Sequence, residues 1–184
     1  VLPASPHPPS LPVPPASGSR ASSAVACPTA LTELPPVSLS PALGVSVNSC
    51  IVFSSIPRLG TAGQKRAFLP HLSDGRGLAG FCLTEPTAGS DAASLRTTAR
   101  REGETYVLNG AKAFISGAGT SDVYVVMARS GGDGAGGVST FVVEKDMPGL
   151  SFGAQERKMG WTSQPTAMVH FDNVRIPRKN LIGE

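Results

Sequence analysis

No apolar run in this chain approaches the length needed to cross a bilayer as a helix. Cysteine is scarce. Cys27, Cys50 and Cys82 are odd in number and show no C-x-x-C spacing, which argues against a disulfide framework or a zinc site and suits a reducing compartment. An excess of one charge is missing as well: the formal net charge is +3, and the basic residues are scattered among acidic ones, so a nucleic-acid partner is not indicated. At the start there is no charged n-region followed by an apolar h-region.

Charge is nearly absent from residues 1–42, where Arg20 and Glu33 stand alone. Eleven of the seventeen prolines fall in that stretch, while twenty of the twenty-one glycines follow it. A Pro/Ser/Ala-rich segment with few bulky apolar side chains cannot offset the entropy of ordering its backbone, so residues 1–42 are expected to be disordered. Its shortage of acids is similar to that of an organellar transit peptide, but the Arg content of one is missing, and no function is assigned to it. The remaining 142 residues suffice for a real core.

From Leu43 to Leu72 the spacing predicts two short helices. Val47, Ile51 and Val52 lie close to helical period, Pro57 and Gly60 punctuate, and Thr61 caps a second helix through Gln64, Lys65, Phe68 and Leu69 that Pro70 closes. Residues 43–75 are too short for a helical domain that stands by itself and read as the remnant of one. Over residues 76–184 the signal is strands. Leu78 to Thr84 is followed by a hairpin of Ser94 to Arg101 and Thr105 to Leu108, turning at Glu102 and Gly103. Ala113 to Ile115, Val123 to Ala128, Val138 to Glu144 and Ala167 to Ile176 complete the set. Short runs bounded by Gly, Asp, Asn or Pro predict a mainly β domain, an antiparallel barrel or sandwich. Gly131 to Gly137 is its most mobile loop by composition.

Two stretches could carry chemistry. Phe81-Cys82-Leu83-Thr84-Glu85-Pro86-Thr87-Ala88-Gly89-Ser90-Asp91 runs from a strand into a turn with exposed hydroxyls, a stiff proline and a glycine that permits close approach. It could present donors to a flat heterocycle or a phosphate, or be no more than a tight turn, and it holds neither a GK[ST] nor a G-x-G-x-x-G pattern. In the second stretch Asn109-Gly110 predicts a hairpin turn, after which alternation puts Phe114 and Ser116 on one face. There an aromatic ring could pack on a planar cofactor beside a bonding hydroxyl, or simply join the core. His71 reads as a surface residue and His170 as a strand residue, with no nucleophile signature beside either. No metal ligands are assigned.

In this order and at this spacing the two stretches resemble the acyl-CoA dehydrogenase family. Its hallmark [YF]-x-[LV]-TEP-x-x-GSD stands here as Phe81 to Asp91, and its NG-x-K-x-[WF]-I-[ST] strand as Asn109 to Ser116. A third likeness runs from Gly160-Trp161-Thr162-Ser163-Gln164-Pro165-Thr166 into Phe171 to Pro177. The likeness extends from about Leu43 to the end of the chain. It implies that residues 76–184 are the family's middle β-barrel domain and that FAD is the cofactor. Phe81, Cys82, Leu83 and Thr84 would then line the flavin, with Thr84 bonding its polar edge. Gly89 and Ser90 would meet the cofactor, Ser90 also the acyl-CoA, while Phe114, Ile115 and Ser116 would pack beside the ring with the Ser116 hydroxyl near N5. Phe114, where the family commonly has Trp, keeps the apolar face and lacks the indole donor. Residues 114–126 and 161–166 are most similar to the members acting on isobutyryl-CoA.

The reaction so implied is FAD-dependent α,β-dehydrogenation of a short branched acyl-CoA to the 2-enoyl-CoA, a step of branched-chain amino acid breakdown such as that of valine. An electron-transferring flavoprotein would take the electrons from a homotetramer, in the mitochondrial matrix of a eukaryote or otherwise in the cytoplasm. The family's catalytic Glu lies in a C-terminal helical domain, so no catalytic residue is assigned here. Glu85 reads as structural, bonding nearby backbone groups. On this reading the chain supplies the surface for flavin and thioester and is inactive alone. The alternatives are a non-catalytic β-module and an acyl-CoA oxidase-like member that passes its electrons to oxygen.

Overall fold

The computed structural model describes residues 53–73 and 77–183. The expected disordered segment 1–42 and the helical positions Val47, Ile51 and Val52 lie outside the described residues. Helix α1 spans Phe53–Leu59, with Pro57 inside it, and α2 spans Ala62–Ser73. Gly60 separates them; its amide donates to the Ile56 carbonyl at 2.9 Å, and a Cβ there would sit 2.5 Å from that oxygen. Thr61 opens α2 as expected, in a reciprocal cap. The Gln64 amide donates to Thr61 Oγ1 at 3.3 Å and the Thr61 amide to Gln64 Oε1 at 2.8 Å. Gln64 Nε2 also donates to the carbonyls of Lys179 and Leu181, both at 2.7 Å, and so fastens the helix to the end of the sheet. Pro70 does not close α2. The helix runs on to Ser73, because Leu72 is buried with the sheet and the Ser73 hydroxyl donates to the Pro70 carbonyl at 3.2 Å. The donor that Pro70 lacks would have served Arg66, an exposed residue.

The strands are β1 Ala79–Cys82, β2 Thr98–Glu102, β3 Thr105–Ser116, β4 Val123–Arg129, β5 Val138–Glu144, β6 Leu150–Phe152, β7 Thr166–Pro177 and β8 Leu181–Ile182. They form one sheet in the order β6-β7-β3-β2-β4-β5-β8, with β1 beside β4. The expected mainly β class with two preceding helices is found, in a sheet that is open rather than closed on itself. Most neighbours are antiparallel, but β1 and β2 run parallel to β4. Alternation along β4 sorts the core. Val123, Val125 and Met127 join Ile56, Phe68 and Leu72 on the helix side, while Tyr124, Val126 and Ala128 join Cys82, Leu108, Phe141 and Val169 on the other. Both faces are covered, which is why β4 reads as an unbroken apolar run.

The β2–β3 hairpin turns as expected, with Gly103 at φ 62. Its first strand starts at Thr98 rather than Ser94, because Ala92–Ser94 is a 3-10 turn held by the Ser94 hydroxyl on Asp91. Asn109-Gly110 is not a turn; both residues lie inside β3, and Ala113 to Ile115 is the end of that same strand. There β7 carries one extra residue, with Leu108 facing Val174 and Gly110 facing Phe171. Gly110 has φ 143 and a Cβ on it would lie 2.8 Å from Thr97 Cα, so glycine serves close packing of strands rather than chain reversal. Strands β6 and β8, of three and two residues, carry too little pattern to be read from sequence. The Gly131–Gly137 loop is fastened from inside, where Arg129 Nη1 donates to the carbonyls of Gly132 and Gly134 at 2.7 and 3.1 Å.

Candidate functional site

Beyond β1 the chain reverses in a tight turn at Pro86-Thr87, closed by Glu85 N–H to the Ala88 carbonyl at 2.9 Å and the converse bond at 3.2 Å. Glu85 itself is buried, and its carboxylate accepts from the amides of Arg96 at 2.6 Å and Thr97 at 2.9 Å. The structural reading of Glu85 therefore holds. Its third donor comes from Lys112 in β3, a fully buried lysine whose Nζ lies 2.8 Å from Glu85 Oε1 and 3.0 Å from the Leu83 carbonyl. Burial opposes the charge on Glu85, but the bonds from Lys112, Thr97 and Arg96 outweigh it and hold the carboxyl below its usual range. Burial in turn pulls Lys112 down, against the attraction of Glu85. One residue on, the Ala113 amide donates to the Thr84 carbonyl at 2.8 Å, so β3 and the end of β1 lie side by side.

Next in β3 comes a bulge. Lys112 faces Val169 and Ile115 faces Ala167, which leaves one extra residue on β3. Phe114 takes φ 56, a region that a bulky residue enters only when its surroundings force it, and the residue is 67% exposed. Ile115 turns inward and Ser116 is half-buried opposite Thr166. The turn after it is held by the Tyr124 hydroxyl, which accepts from the Gly119 amide at 3.0 Å and donates to the Gly117 carbonyl at 3.2 Å. Burial raises the Tyr124 pKa to about 12. Gly80 makes room for this, since a Cβ there would meet the Tyr124 ring at 2.7 Å and the Ser116 carbonyl at 3.3 Å.

Thr84 thus lies next to Ala113, and Ser116 next to Gly80, with Phe114 between. Both hydroxyl residues are half-buried. Cys82 and Ile115 are buried in the inner core, so any contact they make with a ligand is through the backbone. Burial also pushes the Cys82 thiol up, despite nearby Lys112, which leaves it inert. Phe81 packs half-buried on the helix side and Leu83 spends its carbonyl on Lys112. Gly89 and Ser90 are exposed beyond the turn, with open space around Gly89.

Sequence reasoning gave no role to Lys112, Gly80, Tyr124 or Trp161, although Lys112 and Trp161 stood in the stretches it singled out. A lysine between Ala111 and Ala113 in an apolar strand was a usable signal, because a buried ammonium needs a carboxylate and Glu85 stood in the other stretch. Trp161, with φ 50 and 55% exposure, lies in the loop that abuts the site, where the Gly117 amide donates to the Pro165 carbonyl at 2.8 Å.

One sheet, with two helices before it in the chain and a buried Lys112–Glu85 pair inside it, defines a mainly β domain. The family model for the acyl-CoA dehydrogenase middle domain matches residues 80–174. Isobutyryl-CoA dehydrogenase, mitochondrial, of Dictyostelium discoideum is 53% identical over 126 residues, covering 68% of this chain and 30% of that protein. The fold superposes on butyryl-CoA dehydrogenase from Megasphaera elsdenii with a TM-score of 0.79 at 36% identity, over 84% of this chain and 41% of that one. It also matches a glutaryl-CoA dehydrogenase from Mycobacterium smegmatis in complex with FADH2, with a TM-score of 0.71 at 35% identity, over 78% and 37% of the two chains. This chain belongs to the acyl-CoA dehydrogenase family. It spans about a third of the length of the curated relatives it matches.

Proposed function

We propose that the protein binds FAD against the strip formed by Thr84, Phe114 and Ser116 and that the complete gene product dehydrogenates a short branched acyl-CoA, isobutyryl-CoA foremost. Phe114 is the observation that carries this reading. A bulge holds its ring at the surface in a conformation that favours glycine, which costs stability and serves no core contact. When bound, the flavin supplies the hydride acceptor for oxidation of the acyl chain.

The residues of this chain bind and orient. Thr84 and Ser116 can donate to the polar edge of the ring, where negative charge is stabilised by fixed donors. Phe114 covers an apolar face and keeps water from it. The backbone of residues 81–83 and Ile115 supports that surface, and exposed Gly89 and Ser90 are placed to meet the cofactor and the CoA arm. Glu85 cannot take the α-proton, because three donors already engage it in the interior. The proton acceptor is drawn from outside the described residues. The isobutyryl substrate and a mitochondrial setting are supported by the name of the Dictyostelium relative, while the matrix and a role in valine breakdown rest on the family likeness. Family likeness supports an electron-transferring flavoprotein as partner and a homotetrameric assembly.

The test is to purify the complete gene product and examine it for flavin absorption and for anaerobic bleaching by isobutyryl-CoA. Reoxidation by an electron-transferring flavoprotein, rather than by oxygen, separates a dehydrogenase from an oxidase. A colourless protein, or a flavin that no acyl-CoA bleaches, rules the reading out. Ser90→Ala should weaken acyl-CoA binding several-fold while FAD stays bound; equal retention of both ligands removes Ser90 from the site.

A further inference from the structure

Lys112 and Ala113 together grip three consecutive residues. Lys112 Nζ donates to the Leu83 carbonyl at 3.0 Å and to the Glu85 carboxylate at 2.8 Å, and the Ala113 amide donates to the Thr84 carbonyl at 2.8 Å. The main chain is therefore fastened on both sides of Thr84, which leaves its hydroxyl-bearing side chain as the free part. Glu85 is held in turn by the amides of Arg96 and Thr97, so the pair cannot drift as a unit. Two residues along β3 from Lys112 stands Phe114 on its bulge. One buried side chain thus fastens the main chain beside Thr84 two residues before the Phe114 bulge.

Both ionic groups are almost wholly out of solvent, with side-chain exposures of 0% and 4%. Apolar side chains of equal volume would fill the space without the cost of desolvating two charges. What a fully bonded charged pair adds is one geometry in place of several. We infer that the Lys112–Glu85 pair positions Thr84 and Phe114 for contact with a bound flavin, an inference that rests on the flavin reading above. Lys112 touches no ligand itself and acts through its neighbours.

The experiment compares Lys112→Met and Glu85→Gln with the parent in the complete gene product, measuring FAD affinity and the visible spectrum of the bound flavin. Folding is checked by far-ultraviolet circular dichroism. Both variants should bind FAD at least tenfold more weakly, and the flavin that stays bound should show altered absorption bands. A pair with a merely structural role would lower the melting temperature and leave that spectrum unchanged. Glu85→Gln preserves side-chain volume and an acceptor for one amide, so it serves as the folded variant if Lys112→Met does not fold. A parent protein that binds no FAD overturns the flavin reading and this inference with it. Parent-like affinity and spectrum in folded Glu85→Gln overturn the positioning role alone.

Discussion

Asn109 and Asn173 bond each other twice across β3 and β7: the Asn173 amide donates to Asn109 Oδ1 at 2.9 Å, and Asn109 Nδ2 donates to Asn173 Oδ1 at 3.3 Å. Asn173 takes φ 51 at the extra residue of β7, so Asn109 stabilises a bulge by standing opposite it. Asn109→Ala should cost about 1 kcal/mol, the ordinary worth of such bonds. Gly110→Ala should cost more, about 3 kcal/mol, because the new Cβ meets the Thr97 main chain and φ 143 suits only glycine. Urea denaturation followed by circular dichroism measures both, and equal costs would contradict the account of Gly110.

Removing one member of the Lys112–Glu85 pair strands the other in the interior, and Lys112→Met should cost about 3–5 kcal/mol. Replacing both by apolar residues should cost less than the sum of the single changes, which a double-mutant cycle reads directly.

The pair also dictates a response to acid. The folded carboxyl of Glu85 lies below its ordinary value of 4.5, so its contribution to stability is complete above that pH and is lost as pH falls through the lower folded value. The urea midpoint should therefore drop as pH is taken from about 5 to 3. Glu85→Gln should flatten that part of the profile, and a variant with the parent's slope would show that Glu85 is not the responsible group.

Phe114 pays for its position in backbone strain. Phe114→Gly removes about 1–2 kcal/mol of left-handed strain and adds about 0.5–1 kcal/mol of chain entropy. Stability should rise by about 0.5 kcal/mol while FAD binding weakens, an opposition that melting curves with and without FAD would reveal. Phe114→Ala keeps the strain and should gain nothing.

The Tyr124 hydroxyl predicts a second pH limit. Its pKa is raised from 10.0 to about 12, so the stability it contributes is present below pH 10 and is lost as pH rises toward 12. Tyr124→Phe should cost about 1–2 kcal/mol at neutral pH by leaving the Gly119 amide without its acceptor. The same change should remove the alkaline loss, which guanidinium midpoints between pH 9 and 12 would record.

Much of the fold was legible because local chemistry and tertiary context agree. Thr61 and Gln64 stand three apart and cap α2; Glu102-Gly103 turns the first hairpin; Val138–Glu144 begins and ends where its polar neighbours place it. Misreadings occurred where a strong local signal met a stronger distant one. Asn109-Gly110 favours a turn in a short peptide, but β7 and Thr97 occupy both flanks and draw it into a strand. Pro70 disfavours helix, yet burial of Leu72 carries α2 past it.

Sequence by itself determined the mainly β class, the two helices before it, and the two stretches from which a site could be built, because periodicity, turn residues and motif spacing are local properties of the chain. Tertiary structure alone decided that the sheet stays open, that Cys82 and Ile115 face inward, and that Lys112 reaches across 27 residues to Glu85. The reason is that a buried charge or a bulge is settled by what lies opposite in space, and the chain records that partner only at a distance.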